Sequence, residues 1–271
     1  MRALLLAPVW LWLLVFVGAP AAILVTIALA VPAASVPPFR LGWGPGGLAG
    51  LLDGHYVSAF GRSLATASAA AMICLVVGYP MALAIARSRR RRLLLLLVML
   101  PFWSGVLLRL VAWVGILRDE GVLNGLLRAL HLVSQPLPLL HTDTAMLVGL
   151  VYCYLPFLVL PVEARLAVAD RGYERAAADL GAAPWAVFRR VTWPMSLPGV
   201  WAGLALVFIP VTGEYVIPEL LGAPSSLTLG RVIWDEFFQS GDWPQAAALA
   251  VALLVVLIAP LLAVRLAASW R

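Results

Sequence analysis

Six apolar stretches, at residues 4–31, 64–86, 93–117, 145–162, 198–221 and 246–264, decide what this chain can fold into. Each is close to, or longer than, the about 20 residues that cross a hydrocarbon core as a helix. In that medium every backbone N–H and C=O must be bonded inside the protein, so the stretches read as helices rather than open strands. Of the 271 residues, 63% are apolar and 12% are charged, against about 25% charged in a typical soluble domain. A surface so poor in charge excludes a soluble fold, a secreted disulfide scaffold, a disordered tail and a nucleic-acid-binding domain. The expected fold class is an all-α membrane protein with six transmembrane helices, one polytopic domain over residues 1–271. Arg2 and Ala19-Pro20-Ala21-Ala22 resemble parts of a signal peptide. The apolar run continues to Val31, however, and so reads as an uncleaved first helix.

All 19 basic residues are Arg; with 13 acids they give a net charge of +6. In a membrane protein arginine marks the cytoplasmic side. With the N-terminus inside, the inner segments hold 13 arginines and four acids, and the outer side holds six arginines and nine acids. Both termini are therefore expected on the cytoplasmic side. The run of arginines between Arg87 and Arg92 is a tight cytoplasmic turn rather than a nucleic-acid patch, and the outer face is mildly acidic. Cys74 and Cys153 lie in apolar runs and read as packing residues. His55, His131 and His141 are scattered and form no ligand set, so no metal site is expected. His141 and Asp143 are neighbours in an outer loop, where they read as loop hydrogen-bonding groups. No nucleophile, base and orienting acid come together, so the chain is not expected to be an enzyme by itself.

The one sizeable inner loop, residues 163–197, carries the most specific signal. Tyr173 to Leu180 reads as a short helix, with Asp170 as its N-cap and Gly181 as its stop. Pro184 suits the first turn of a second helix. The consecutive Ala176, Ala177 and Ala178 give the first helix little bulk, so it can lie close against a partner protein. It lacks the broad apolar face of a helix that rests on lipid.

This loop resembles the coupling loop, or EAA motif, of bacterial ABC importer permeases. The motif is Glu-Ala-Ala, three residues, Gly, nine residues, then Ile-x-Leu-Pro. Anchored on Gly181, it places its alanines at Ala176 and Ala177 and its end at Val191-Thr192-Trp193-Pro194. Two positions depart: the motif's Glu falls on Arg175, one residue after Glu174, and its Leu is Trp193. The resemblance extends over nearly the whole chain. It is carried by Leu100-Pro101-Phe102-Trp103, Tyr154-Leu155-Pro156-Phe157 and Gly213-Glu214-Tyr215-Val216-Ile217-Pro218-Glu219. Among such permeases it is nearest to those of putrescine/spermidine importers. The resemblance implies a type I ABC importer transmembrane domain that forms half of a polyamine pathway. It implies a second permease subunit, as a heterodimer, two ATP-binding cassette subunits and an extracytoplasmic substrate-binding protein. The implied ATPase-coupling residues are Glu174, Arg175, Ala176, Ala177, Ala178, Asp179, Leu180 and Gly181. The chain has no GxxxxGK[ST] loop. It is expected to hold no cofactor, with ATP and Mg bound by the partner ATPases.

Charges inside a membrane are candidates for function. Arg109 and Glu214 each fall 16 residues into a span counted from its inner end, about 24 Å deep at about 1.5 Å per residue. They can pair, Glu214 can meet a cationic cargo, or Arg109 can snorkel to the outer interface. Glu214, Tyr215, Glu219, Arg109 and Trp103 are the candidate substrate-path residues. Asp235 and Glu236, with Trp113, Tyr152 and Tyr154, are further outer acids and aromatics, the latter more commonly interface anchors. Other cargoes of the same importer class, such as ferric iron, thiamine or an opine-like compound, remain open. So does a self-sufficient secondary transporter.

Overall fold

The computed structural model describes residues 2–42, 44 and 46–269, with side chains except at 2–6, 46 and 260–269. Of the arginines assigned to the inner face, Arg271 lies outside the described residues, as do the side chains of Arg2 and Arg265.

The first run is helical as α1 (Arg2–Leu13) and α2 (Ala19–Ala28), joined by a π-turn at Leu14–Gly18. The missing N–H of Pro20 interrupts the regular bonding there. A two-residue antiparallel pair follows, β1 (Val31–Pro32) with β2 (Phe39–Arg40), Val31 facing Arg40. Then come α3 (Gly46–Ala49) and α4 (Gly54–Arg87). At 34 residues, α4 is about 51 Å long. It begins ten residues before the second apolar run, because Ala59, Tyr56 and Phe60 on its added turns find an apolar cluster to pack in.

The third run is not a straight span. α5 (Arg91–Met99) passes into a 3₁₀ turn, Leu100–Trp103, and the chain restarts with α6 (Val106–Leu117); the segment Val106–Ala129 lies at 87° to Arg91–Trp103. Pro101 removes a backbone donor, and Ser104 and Gly105 are extended, so the helix cannot continue. Counting depth along one straight helix therefore does not hold for Arg109, which sits in the first turns of α6. The second outer loop contains α7 (Val122–Ala129), and α8 (Asp143–Val168) covers the fourth run. The inner loop folds as α9 (Gly172–Asp179) and α10 (Pro184–Val187). A π-turn at Phe188–Thr192 leads into α11 (Trp193–Thr212). The fifth run is broken too: α11 ends at Gly213, and a short α12 (Val216–Leu221) follows. α13 (Leu229–Phe238) and α14 (Trp243–Ser269) complete the chain.

Among the described residues, four helices are long and apolar enough to cross a membrane, or five if the bent pair is one span. The contacts divide the chain into two compact units. One comprises Met1–Arg62 and Leu227–Arg271. Its core is two small clusters, Ala59, Leu229, Val232 and Leu249, and Ala28, Ala247 and Ala248.

The other unit, Ser63–Ser226, holds the main core, where α8 and α11 pack along their length. Gly199 and Gly203 lie four residues apart on the face of α11 that meets α8. A Cβ at Gly199 would come within 2.6 Å of the Pro161 carbonyl oxygen, and one at Gly203 within 3.1 Å of the Leu158 backbone. Small residues at this spacing let two membrane helices touch backbone to backbone. Gly199→Leu should therefore force the helices apart, at a cost of about 1–3 kcal/mol. The check is a lower Tm of the detergent-solubilised protein than that of an exposed control, Trp201→Leu.

The loop helix α9 closes with a Schellman motif: Gly181 N–H donates to Ala178 O at 2.9 Å, and Ala182 N–H to Ala177 O at 3.0 Å. The motif needs Gly181 at a φ of +83°. Gly181→Ala strains that turn by about 1–2 kcal/mol, so local opening of the loop should rise by a factor of about 5–30. Limited trypsin cleavage at Arg171 and Arg175 reads this directly.

Candidate functional site

Two places in the Ser63–Ser226 unit carry the chemistry, an open cleft among the apolar helices and the surroundings of α9. The cleft, of about 510 Å³, is lined by α6, α8, α11 and α12 and by the Leu100–Trp103 turn. Both charged candidates face it, and each arrives at a helix break. Glu214 occupies the gap between α11 and α12, which Gly213 opens. One carboxylate oxygen accepts the Val216 N–H at 3.0 Å and so caps α12; the other accepts the hydroxyl of Tyr154 on α8. The carboxylate is thus held by two donors rather than by a cation.

Arg109 stands just past the 87° bend. Its guanidinium lies over the Phe102 ring, 5.1 Å from the centroid. Its Nε and Nη1 atoms are buried without a hydrogen-bond acceptor. A cation in the first turns of a helix also opposes the helix dipole. Ion pairs in this unit join Arg87 to Glu174 and Arg91 to Glu163, and Arg109 and Glu214 do not pair across the cleft they share. The wall is aromatic: Phe102 packs edge-on against Phe157 at 5.1 Å, and Phe157 lies 5.8 Å from Tyr154.

The other candidates separate. Trp103 is 86% exposed and does not line the cleft. Tyr215 flanks Glu214 in the break, and Glu219 is exposed on α12. Trp113 and Tyr152 pack edge-on at 5.6 Å beside a smaller hollow that Arg109 also borders. Asp235 and Glu236 belong to the other unit and accept from Gln239 at 2.7 Å and from Tyr56 at 2.7 Å. Phe102 and Phe157 were not singled out from the sequence as cleft residues; their aromatic side chains in broken or proline-bearing helices were the available signal.

Around α9, the N-cap is Arg171 rather than Asp170, one residue later than the sequence suggests; the Asp170 carboxylate accepts the Gly172 N–H at 2.8 Å in the turn that leads into the helix. No side chain of α9 is buried. Tyr173, Leu180 and Trp185 are large, apolar and 62%, 89% and 69% exposed. Glu174 turns toward its own chain and accepts from Arg87 at 2.9 Å and from Thr192 at 2.6 Å. Arg175, Ala176, Ala177, Ala178, Asp179, Leu180 and Gly181 follow it along the helix and its cap. On α8, the buried Glu163 carboxylate is held by Arg91 of α5 through two bonds.

A family model described as "Binding-protein-dependent transport system inner membrane component" matches residues 74–271. The chain is 34% identical over 209 residues to the spermidine/putrescine transport system permease protein PotB of Haemophilus influenzae, covering 76% of this chain and 73% of that protein. It is 34% identical to PotB of Escherichia coli K12, covering 76% of each. It is 32% identical over 201 residues to the molybdenum transport system permease protein ModB of Mycobacterium bovis, covering 73% of this chain and 74% of that protein. Its fold resembles that of a chain in the crystal structure of a bacterial ABC transporter that imports the acidic polysaccharide alginate. There the TM-score is 0.66 at 20% identity, over 95% of this chain and 91% of that one. The broken helices, the charged cleft, the match over residues 74–271 and these relatives lead to one conclusion: the chain belongs to the family of binding-protein-dependent transport system inner membrane components.

Proposed function

We propose that this chain is a permease subunit of an ATP-driven polyamine importer and forms half of the pathway for spermidine and putrescine. The observation that carries the reading is Glu214, a carboxylate at a helix break in an aromatic-walled cleft. A protonated amine can take the place of the Tyr154 hydroxyl on that carboxylate, while Phe102 and Phe157 offer ring faces to methylenes and ammonium groups. The PotB relatives named for spermidine and putrescine support the same cargo. In this reading the chain crosses the inner membrane six times, α14 included, with both termini in the cytoplasm. The segment from Glu174 to Gly181 is the coupling helix that rests on a partner ATPase. Exposed Tyr173, Leu180 and Trp185 are the groups that docking would cover. A second permease, two ATPase subunits that bind ATP and Mg, and an extracytoplasmic binding protein complete the assembly.

Arg109 favours a second reading, an anionic cargo, because two of its buried nitrogens lack acceptors in the same cleft. The two readings part in one experiment, binding-protein-dependent ATPase activity of the purified complex with spermidine or with an oligouronate. For a polyamine cargo spermidine stimulates hydrolysis, and Glu214→Gln raises the half-stimulating concentration at least about tenfold, or about 1.4 kcal/mol. Stimulation by the oligouronate, lost in Arg109→Gln and kept in Glu214→Gln, would establish the anionic cargo.

A further inference from the structure

Helix α9 buries no side chain fully, and its neighbours α10 and the Phe188–Thr192 turn belong to the same loop and its entry to α11. Both of its connections are exposed turns, through Asp170 on one side and through Gly181 on the other. Its direct ties to the spans are the hydrogen bonds it makes to them. One carboxylate oxygen of Glu174 collects two such bonds, from Arg87 Nη2 at 2.9 Å and from Thr192 Oγ1 at 2.6 Å. Arg87 is the last residue of α4, and Thr192 is the last residue of the π-turn that feeds α11. Glu174 lies in the first turn of α9. Each charge thus sits at the helix end whose dipole favours it, a cation at a C-terminus and an anion at an N-terminus. Arg171, just ahead of α9, adds a bond of 3.1 Å to the Ala86 carbonyl at the same end of α4. Thr192 is only 3% exposed, so its hydroxyl has little water to turn to.

We infer that Glu174 is a positioning residue that clamps α9 to the ends of α4 and α11, so that a displacement of α9 moves both helices together. The inference rests on the importer reading above. A helix anchored by buried side chains would transmit a push without this residue; α9 has none fully buried. The shift of the acid by one place from the motif position fits an inward role, since Glu174 faces its own subunit in the contacts above.

The test is transport by the assembled complex in liposomes, with uptake of labelled spermidine and ATP hydrolysis measured on the same vesicles. Glu174→Ala should leave ATP hydrolysis running while cargo moved per ATP falls at least about fivefold, the lower end of the usual range for a coupling free energy. The exchange Glu174→Arg with Arg87→Glu keeps the pair, and the Thr192 hydroxyl can accept where it formerly donated. This double variant should recover coupling that either single variant loses. A merely structural role would lower uptake and hydrolysis in proportion. If Glu174→Ala does not assemble, Thr192→Val removes one bond with little change of shape and should show the same loss in part. An unchanged ratio of cargo to ATP in Glu174→Ala, or in Thr192→Val where that variant is the one measured, overturns the clamp while leaving the importer reading in place. A wild-type complex without ATP-driven uptake overturns both.

Discussion

Two glycines on α11 bring its backbone against that of α8, and this pair carries Tyr154, Phe157 and Glu163 and leads into Glu214. Lipid tails supply no hydrophobic drive between helices, so close van der Waals packing must hold them. From the middle of α8 comes Tyr154, which holds Glu214 just past the end of α11, and from nearer its C-terminus comes Glu163, which holds Arg91. Arg165 on α8 reaches the Met195 carbonyl on α11 at 3.2 Å. The α8–α11 pair thus carries the cleft at mid-α8 and polar contacts toward the C-terminal end of α8.

The two charges that face the cleft sit at helix breaks. Glu214 sits where Gly213 ends α11, and Arg109 where Pro101, Ser104 and Gly105 bend the third run by 87°. A break frees backbone groups that a carboxylate can cap, as Glu214 does for Val216. It also leaves room for a side chain beside the helix rather than against lipid. Breaks are where small rotations are absorbed. Placing charge there ties the electrostatics of the cleft to the geometry of the helices that line it.

The apolar runs were legible from the sequence because hydrophobicity over about 20 residues is a property of composition. The loop helix was legible from local chemistry: Gly181 ends it and Pro184 starts the next turn, while Asp170 stands one residue ahead of the actual N-cap, Arg171. What the sequence did not show was continuity. Pro156 and Pro161 lie inside an intact α8, whereas Pro101 and Gly213 accompany breaks, and proline or glycine content alone does not separate these outcomes. Tertiary packing decides them. For the same reason equal counts along two spans put Arg109 and Glu214 at equal depth, while the bent third run leaves them on one cleft without an ion pair. The partner of Glu214 turned out to be Tyr154, which the sequence offered only as one aromatic among several.

The proposed account makes this chain a passive half-pathway whose movement is driven from outside. The most direct measurement is labelled spermidine uptake into vesicles holding whatever complex co-purifies with this chain, powered either by enclosed ATP or by an imposed ion gradient. The account predicts that an ATPase co-purifies and that uptake needs ATP and the binding protein. Gradient-driven uptake by the chain alone, with no ATPase attached, would contradict it.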